Sequence, residues 1–375
     1  MDDILHGDLS VIGIKGSETF VDQVDAYLKG WRKSGSYIIT PEFIRFGTGE
    51  GKCILHDSMR GHDIYIFADL FNYGVKYAMY GDDSHFMSPD DHFQDLKRII
   101  GAIGGKARRI SVIMPMLYEG RQHRRLTRES LDCAIALQEL VNMGVSNIIT
   151  FDAHDARVQN AIPLSGFDSV QPTYQMIKAL LNNVPDIELD IQKLMIVSPD
   201  EGRMSSCMYY ASVLGVELGM FYKRRDYSET KDGRNRIVAH KYLGKPVRDK
   251  DVIIVDDMIS SGESILDVVK QLKDKGARHI YTFASFGLFN KGLEGFDKAY
   301  KEGWINHVYT TNLIYRTPEL LKKDWYTEVN LCKYVAYIID TLNHDNTIGK
   351  LLDPVEKINN FISEWKRNKS NWQVK

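Results

Sequence analysis

The residues best equipped for chemistry stand together in VIIVDDMISSGESILDVVKQLKDKG, Val252 to Gly276. Asp256 and Asp257 can accept hydrogen bonds from sugar hydroxyls, directly or through a divalent ion. Ser260, Ser261, Gly262, Glu263 and Ser264 make a turn with three hydroxyls and a glycine that lets the backbone approach a ligand closely. From Ile265 the apolar residues fall at 265, 268, 269 and 272, the period of an amphipathic helix, and Gly276 can stop it. The first N–H groups of a helix lack intrahelical partners and its dipole favours an anion, so the turn is a seat for phosphate. Val252, Ile253, Ile254 and Val255 suit a buried parallel strand. Together they predict binding of a phosphorylated sugar. The alternative is an ordinary strand–turn–helix with solvated acids.

Four further stretches carry candidate chemistry. YEGRQHRRLTR, Tyr118 to Arg128, holds four arginines and His123 just past a strand; the planar arginine fork grips phosphate oxygens, though a solvated basic helix face would look the same. FDAHD places His154 among acids at a strand end, where open α/β sheets put ligands; the spacing is not that of a zinc tetrad. SPDEGR sets Asp200 after a strand and before a helix. The polar segment from Lys223 to Arg236, with three cations at its start, reads as a mobile loop able to close over a polyphosphate, or as a plain basic surface loop. FGTGEGK, Phe46 to Lys52, lacks P-loop spacing and reads on its own as a hairpin turn.

The elements that must hold these residues alternate. IYIFA, ISVIM and NIITF are apolar strands in the first half; LMIVS, VIIVDD and IYTFA are their counterparts in the second, with amphipathic helices between. Such alternation predicts an α/β fold of two similar domains, each a mainly parallel sheet flanked by helices, with ligand-bearing strand ends facing one cleft. With 375 residues the chain exceeds the roughly 250–300 that one core organises. The expected partition is 1–170 plus a C-terminal helix, 346–375, against 171–345. Residues 69–89 read as a long loop. A net charge of −2 argues against a nucleic-acid protein. The four cysteines form no CxxC and suggest free thiols in a reducing compartment. No basic-then-apolar leader or long apolar run is seen, so a cytoplasmic location is expected, with no membrane partner.

In this order the motifs resemble those of ribose-phosphate diphosphokinase, the PRPP synthetase family, over roughly 46–352. FGTGE is similar to the family's adenine loop, RQHRR to its nucleotide loop, FDAHD to its metal-site motif, SPDEGR to S-P-D-x-G, FYKRR to its catalytic loop, and VDDMISSGES to its PRPP turn. The resemblance implies a phosphoribosyltransferase-like fold and transfer of the β,γ-diphosphoryl group of ATP to the 1-hydroxyl of ribose 5-phosphate, giving PRPP and AMP for nucleotide biosynthesis. It implies catalytic roles for Lys223 and Arg225, and ATP contacts from Phe46, Glu50, Arg121 and Gln122. It implies ribose 5-phosphate binding by Asp256, Asp257 and Ser260 to Ser264, and Mg²⁺ held near His154 and Asp200. In the family the adenine contacts come from a neighbouring subunit, which implies a homo-oligomer with a shared ATP site.

The sequence departs from the family at four points. Thr48 stands for an acid, His123 for an aspartate, Ser260 for an aspartate, and Glu263 for a glycine inside the phosphate turn. The Glu263 side chain is expected to face outward, because a carboxylate aimed at phosphate is repulsive. A PRPP-consuming phosphoribosyltransferase would share the turn but has no need of RQHRR and the K-R-R loop. A non-catalytic regulatory subunit is favoured by loss of the lysine or the metal histidine, and both are present.

Overall fold

The computed structural model describes residues 5–125, 127–231 and 234–373, with the side chains of 223–240 and 370–373 outside the description. The chain divides into two compact units. The first comprises Met1–Pro172, Asn312–Thr317 and Asn330–Asp353; the second comprises Thr173–Thr311, Pro318–Val329 and Pro354–Lys375.

The first unit is built on five parallel strands, β1 (Asp8–Gly13), β4 (His62–Phe67), β7 (Arg109–Ile113), β8 (Asn147–Phe151) and β9 (Gly166–Val170), adjacent in that order. Two antiparallel hairpins interrupt the series, β2 (Glu42–Arg45) with β3 (Gly51–Ile54), and β5 (Lys76–Met79) with β6 (Asp82–Phe86). Strand pleating sends alternate side chains to opposite faces. Ile64 and Ile66 of β4 join the core under helices α2 (Pro89–Ile103) and α3 (Asp132–Asn142). Phe67 faces the other way and stacks on Phe20 of α1 (Glu18–Arg32), ring centres 4.2 Å apart. Serine at the cap, proline at N1 and Asp91 at N3 start α2 through a complete capping box.

The second unit holds seven strands in the order β12-β11-β10-β13-β14-β15-β16: β10 (Leu194–Ser198), β11 (Glu217–Lys231), β12 (Arg234–Leu243), β13 (Asp251–Ile259), β14 (Ile280–Gly287), β15 (His307–Thr311) and β16 (Tyr326–Val329). All neighbours run parallel except β11 and β12. Helices α4 (Thr173–Asn183), α5 (Met204–Leu214), α6 (Glu263–Asp274) and α7 (Glu294–Lys301) belong to the unit. Ile265, Val268, Val269 and Leu272 are the buried face of α6, and each contributes ~1.5–3 kcal/mol by leaving water.

The order reverses between β10 and β13: the chain leaves β10 to one side for β11, and the next parallel strand lies on its other side. Such a switch point opens a crevice at the carboxyl ends of the two strands, the place where open α/β sheets bind ligands.

Five expectations change. Residues 69–89 are not a plain loop, because β5 and β6 pair there around Tyr80 and Gly81, both at positive φ as a two-residue hairpin turn requires. The strand before the acid pair runs on to Ile259, since β14 continues to pair with it through Asp256, Met258 and Ile259. The backbone of 223–231 is strand, paired with β12, and not an irregular loop. The last helix, Val355–Gln373, belongs to the second unit and not the first: Phe361 meets Tyr174 of α4 edge-on at 5.8 Å. The helix Cys332–Asn343 belongs to the first unit, where Asp340 accepts from Arg32 of α1 at 2.7 Å. Among the described residues no helix is long and apolar enough to cross a membrane.

Candidate active site

In the second unit the switch point gathers SPDEGR, at the end of β10, beside VDDMISSGES, which forms the last residues of β13 and the turn after it. Asp256 lies largely buried in the central strand β13, and its Oδ1 accepts from the backbone N–H of Asp257 at 2.8 Å. Burial, then the adjacent charge of Asp257, pushes the Asp256 carboxyl well above the usual range. Arg203 opposes this: its guanidinium is 5% exposed, with Nε 3.8 Å from Asp256 Oδ1. Asp200 begins the short 3-10 turn that carries Arg203, accepting from Gly202 N–H at 3.0 Å.

The turn from Ser260 to Ser264 leads into α6 with Gly262 as its cap, at φ +82°. A Cβ there would lie 2.4 Å from Cε2 of Phe296, so only glycine fits both the backbone and the space. No side chain caps α6, and the amides of its first turn are those that have no partner within a helix. Behind the turn, the loop after β14 is tied to it: Leu288 N–H donates to Ile259 O at 2.9 Å and Asn290 N–H to Ser260 O at 3.0 Å. Glu263 points outward, as expected, and accepts from Lys291 Nζ at 2.8 Å.

In the first unit Phe46 and Glu50 close the β2–β3 hairpin, Phe46 N–H donating to Glu50 O at 2.8 Å, and the Phe46 ring is 50% exposed. Thr48 donates to the Glu50 carboxylate at 2.9 Å, so it serves that acid where the family places another. Arg45 braces the loop, donating to Gly49 O at 3.2 Å and to the buried Asp95 at 2.7 Å. The β5–β6 hairpin backs it: Tyr80 N–H donates to Gly47 O at 2.9 Å, and a Cβ on Gly49 would meet Met79 Sδ at 2.5 Å. Residues 69–89 thus support the exposed aromatic loop.

RQHRR is loop and not helix. Arg121, Arg124, Arg125 and Arg128 are exposed, and Gln122 is pinned through Nε2 to Ser130 O at 3.1 Å. His123 Nε2 lies 3.5 Å from Asp155 Oδ2, and its ring centre is 5.5 Å from that of His154. Hydrogen bonds from Arg157 hold the Asp155 carboxyl down at about 2, while burial lowers the His123 pKa. RQHRR and FDAHD therefore meet through His123, the residue that stands for an aspartate. Lys223 and Arg225 lie in β11, opposite His240 and Ile237, with a register shift after Arg224; their side chains lie outside the described residues.

A profile of the N-terminal domain of ribose phosphate pyrophosphokinase matches residues 9–144, and a profile of the phosphoribosyl transferase domain matches 168–310. The ribose-phosphate pyrophosphokinase of Ureaplasma parvum serovar 3 is 30% identical over 214 residues, 56% of this chain and 61% of that one. That of Vibrio cholerae is 23% identical over 315 residues, covering 82% of this chain and 90% of the relative. In fold, the chain is similar to the crystal structure of phosphoribosylpyrophosphate synthetase from Mycobacterium smegmatis, with a TM-score of 0.74 at 20% identity, over 90% of this chain and all of that one. The chain belongs to the ribose-phosphate pyrophosphokinase family.

Pyrophosphokinase chemistry raises the question of a metal. Among the described residues no three His, Cys, Asp or Glu side chains cluster as a ready-made site. Magnesium is usually held by one or two carboxylates together with substrate phosphates and water. Asp200 and Asp256 are oxygen donors of that kind; His154, exposed beside His123, is a less usual one. In the second unit, Asp200 and Asp256 are carboxylates of the kind that would hold a Mg²⁺.

Two residues beside the acid pair and the turn were not legible in the sequence. Arg203 was visible only as the last residue of SPDEGR, and nothing in spacing showed that it would turn inward to Asp256. Lys291 reaches Glu263 across 28 residues of sequence, by way of the fold-back after β14.

Proposed function

We propose that this chain is a ribose-phosphate diphosphokinase, transferring the β,γ-diphosphoryl group of ATP to the 1-hydroxyl of ribose 5-phosphate and releasing PRPP and AMP. The observation that carries the reading is the uncapped start of α6 behind a glycine-only turn, beside the Asp256–Asp257 pair at the switch point. A phosphate monoester takes the turn from Ser260 to Ser264, where amides and hydroxyls donate to its oxygens. Asp256 and Asp257 accept from the ribose hydroxyls, and Arg203 keeps Asp256 from being an uncompensated buried charge. ATP takes the first unit: Phe46 offers an exposed ring and Glu50 an acceptor to the adenine, and Arg121 and Gln122 grip the phosphates.

Transfer of this kind asks the protein for alignment and neutralisation of oxygen charge more than for covalent help. Lys223 and Arg225, on the arm β11, supply cations to the transferred group. A Mg²⁺ would be held by Asp200 in the second unit or by His154 in the first, and would supply neutralisation of phosphate-oxygen charge. The free thiols, three of them buried, favour a reducing, cytoplasmic setting. The loop bearing Phe46 is suited to completing a neighbouring copy's ATP site in a homo-oligomer. In these terms the first unit is the ATP side and the second the ribose 5-phosphate side.

The test is incubation of the purified protein with Mg·ATP and ribose 5-phosphate. AMP and PRPP are expected in equal amounts. ADP would identify an ordinary kinase, and release of diphosphate from separately supplied PRPP and a nucleobase, with no AMP from the first incubation, would identify a phosphoribosyltransferase.

A further inference from the structure

Glu263 stands at the first position of α6, where the reading above seats a phosphate. A carboxylate there has two ways to interfere: it can repel the incoming dianion, or fold back and act as an internal anion on the same donors. Its Oε2 accepts from Ser261 Oγ in a long bond of 3.4 Å. Its Oε1 accepts from Lys291 Nζ in the shorter bond, at 2.8 Å.

Lys291 is placed for this by backbone and not by chance of a surface rotamer. Asn290 donates through its backbone N–H to Ser260 O at 3.0 Å and through Nδ2 to Ser260 Oγ at 3.2 Å. Gly292, next along, donates to Phe289 O at 2.9 Å. The residue between is therefore held beside the turn. The Lys291 and Glu263 side chains are 63% and 69% exposed, so the pair contributes little to stability. A pair worth so little to folding, yet fixed on a phosphate seat, points to a role in ligand binding.

We infer that Lys291 is a positioning residue that holds the Glu263 carboxylate off the first amides of α6, keeping the seat open for the 5-phosphate of the sugar. The inference rests on the placement of ribose 5-phosphate in this turn. It accounts for a glutamate where the family has glycine: the cation cancels the charge and fixes its direction.

Steady-state kinetics on the full chain test it with Lys291→Ala, Lys291→Arg, Glu263→Gln and the double variant Lys291→Ala/Glu263→Gln. Lys291→Ala is expected to raise the KM for ribose 5-phosphate about two- to fivefold, the scale of an exposed ion pair, and to lower kcat by less. Lys291→Arg restores the parental KM. In the double variant the rise disappears, because a neutral amide needs no holding. Thermal unfolding checks that all four are folded. A full KM rise persisting in the double variant would overturn the inference, since Lys291 would then be touching phosphate itself. So would parental KM values throughout, with the parent enzyme active. If the parent makes no AMP, the functional reading falls and takes this inference with it.

Discussion

Replacing Gly262 by alanine puts the phosphate seat under the most direct strain. The residue sits at φ +82°, a region that costs an L-residue ~1–2 kcal/mol. The added Cβ would lie 2.4 Å from Cε2 and 2.9 Å from Cζ of Phe296. That ring cannot simply retreat: it is 1% exposed, stacked on Trp325 at 5.4 Å and met edge-on by Phe289 at 5.1 Å. Overpacking of this kind costs ~1–3 kcal/mol. The sum is ~2–5 kcal/mol, and it can appear in two ways. If the turn keeps its shape, the unit loses stability, and at ~2–4 °C per kcal/mol the melting midpoint falls by about 4–20 °C. If the turn relaxes, the midpoint stays closer to the parent and the KM for ribose 5-phosphate rises tenfold or more, since ~1.4 kcal/mol is a factor of ten. Scanning calorimetry and initial-rate kinetics on one preparation separate the two. A variant with both parental midpoint and parental KM would refute the assignment of the seat.

Asp69 gives a pH prediction. It is buried and accepts from the backbone N–H groups of Phe71 at 3.1 Å and Tyr315 at 2.7 Å; burial outweighs these bonds and pushes its carboxyl up to about 7. The native state thus keeps a proton that the unfolded chain gives up near the usual carboxylate pKa of ~3.9, so this group's contribution to stability falls as pH rises from ~4 to ~7, by up to ~4 kcal/mol. Urea unfolding of the parent and Asp69→Asn at pH 5 and pH 8 should show a stability difference that changes between the two; a constant difference contradicts the shift. Arg203→Met should raise the KM for ribose 5-phosphate and move the acidic limb of its kcat/KM profile to higher pH, because Asp256 loses the charge that holds its proton off; an unmoved limb removes Arg203 from the site. Lys223→Ala should lower kcat by ~10³ with the KM for ATP little changed, as for a cation acting on the transferred group; comparable loss in both would place Lys223 in ground-state binding.

What could be read from the amino acids follows from where burial leaves a signature. Strands covered on both faces, such as LMIVS and VIIV, are continuous apolar runs and stand out. DLSVIG and GFDSV, at the two edges of the first sheet, and YTEV, at an edge of the second, mix polar residues into short strands and do not. The β5–β6 hairpin buries little, so its pairing left only the Tyr80–Gly81 turn as a trace. The same holds for the site. Ser260 to Ser264 were legible because a phosphate turn is local, with its donors and its glycine side by side. Arg203 and Lys291 were not, because the strand order brings the first to Asp256 and a loop fold-back brings the second to Glu263. His123 was visible as a substitution, but its approach to His154 depends on the end of β8 and the loop after β7 closing together.

The reaction itself is tested most directly by following one oxygen. Ribose 5-phosphate carrying ¹⁸O on its 1-hydroxyl is incubated with Mg·ATP and the purified chain, and the products are analysed by ³¹P NMR and mass spectrometry. Attack of that hydroxyl on the β-phosphorus predicts PRPP with the label bridging C1 and the diphosphate, together with unlabelled AMP. ADP with a labelled ribose bisphosphate, or label in AMP, would contradict it.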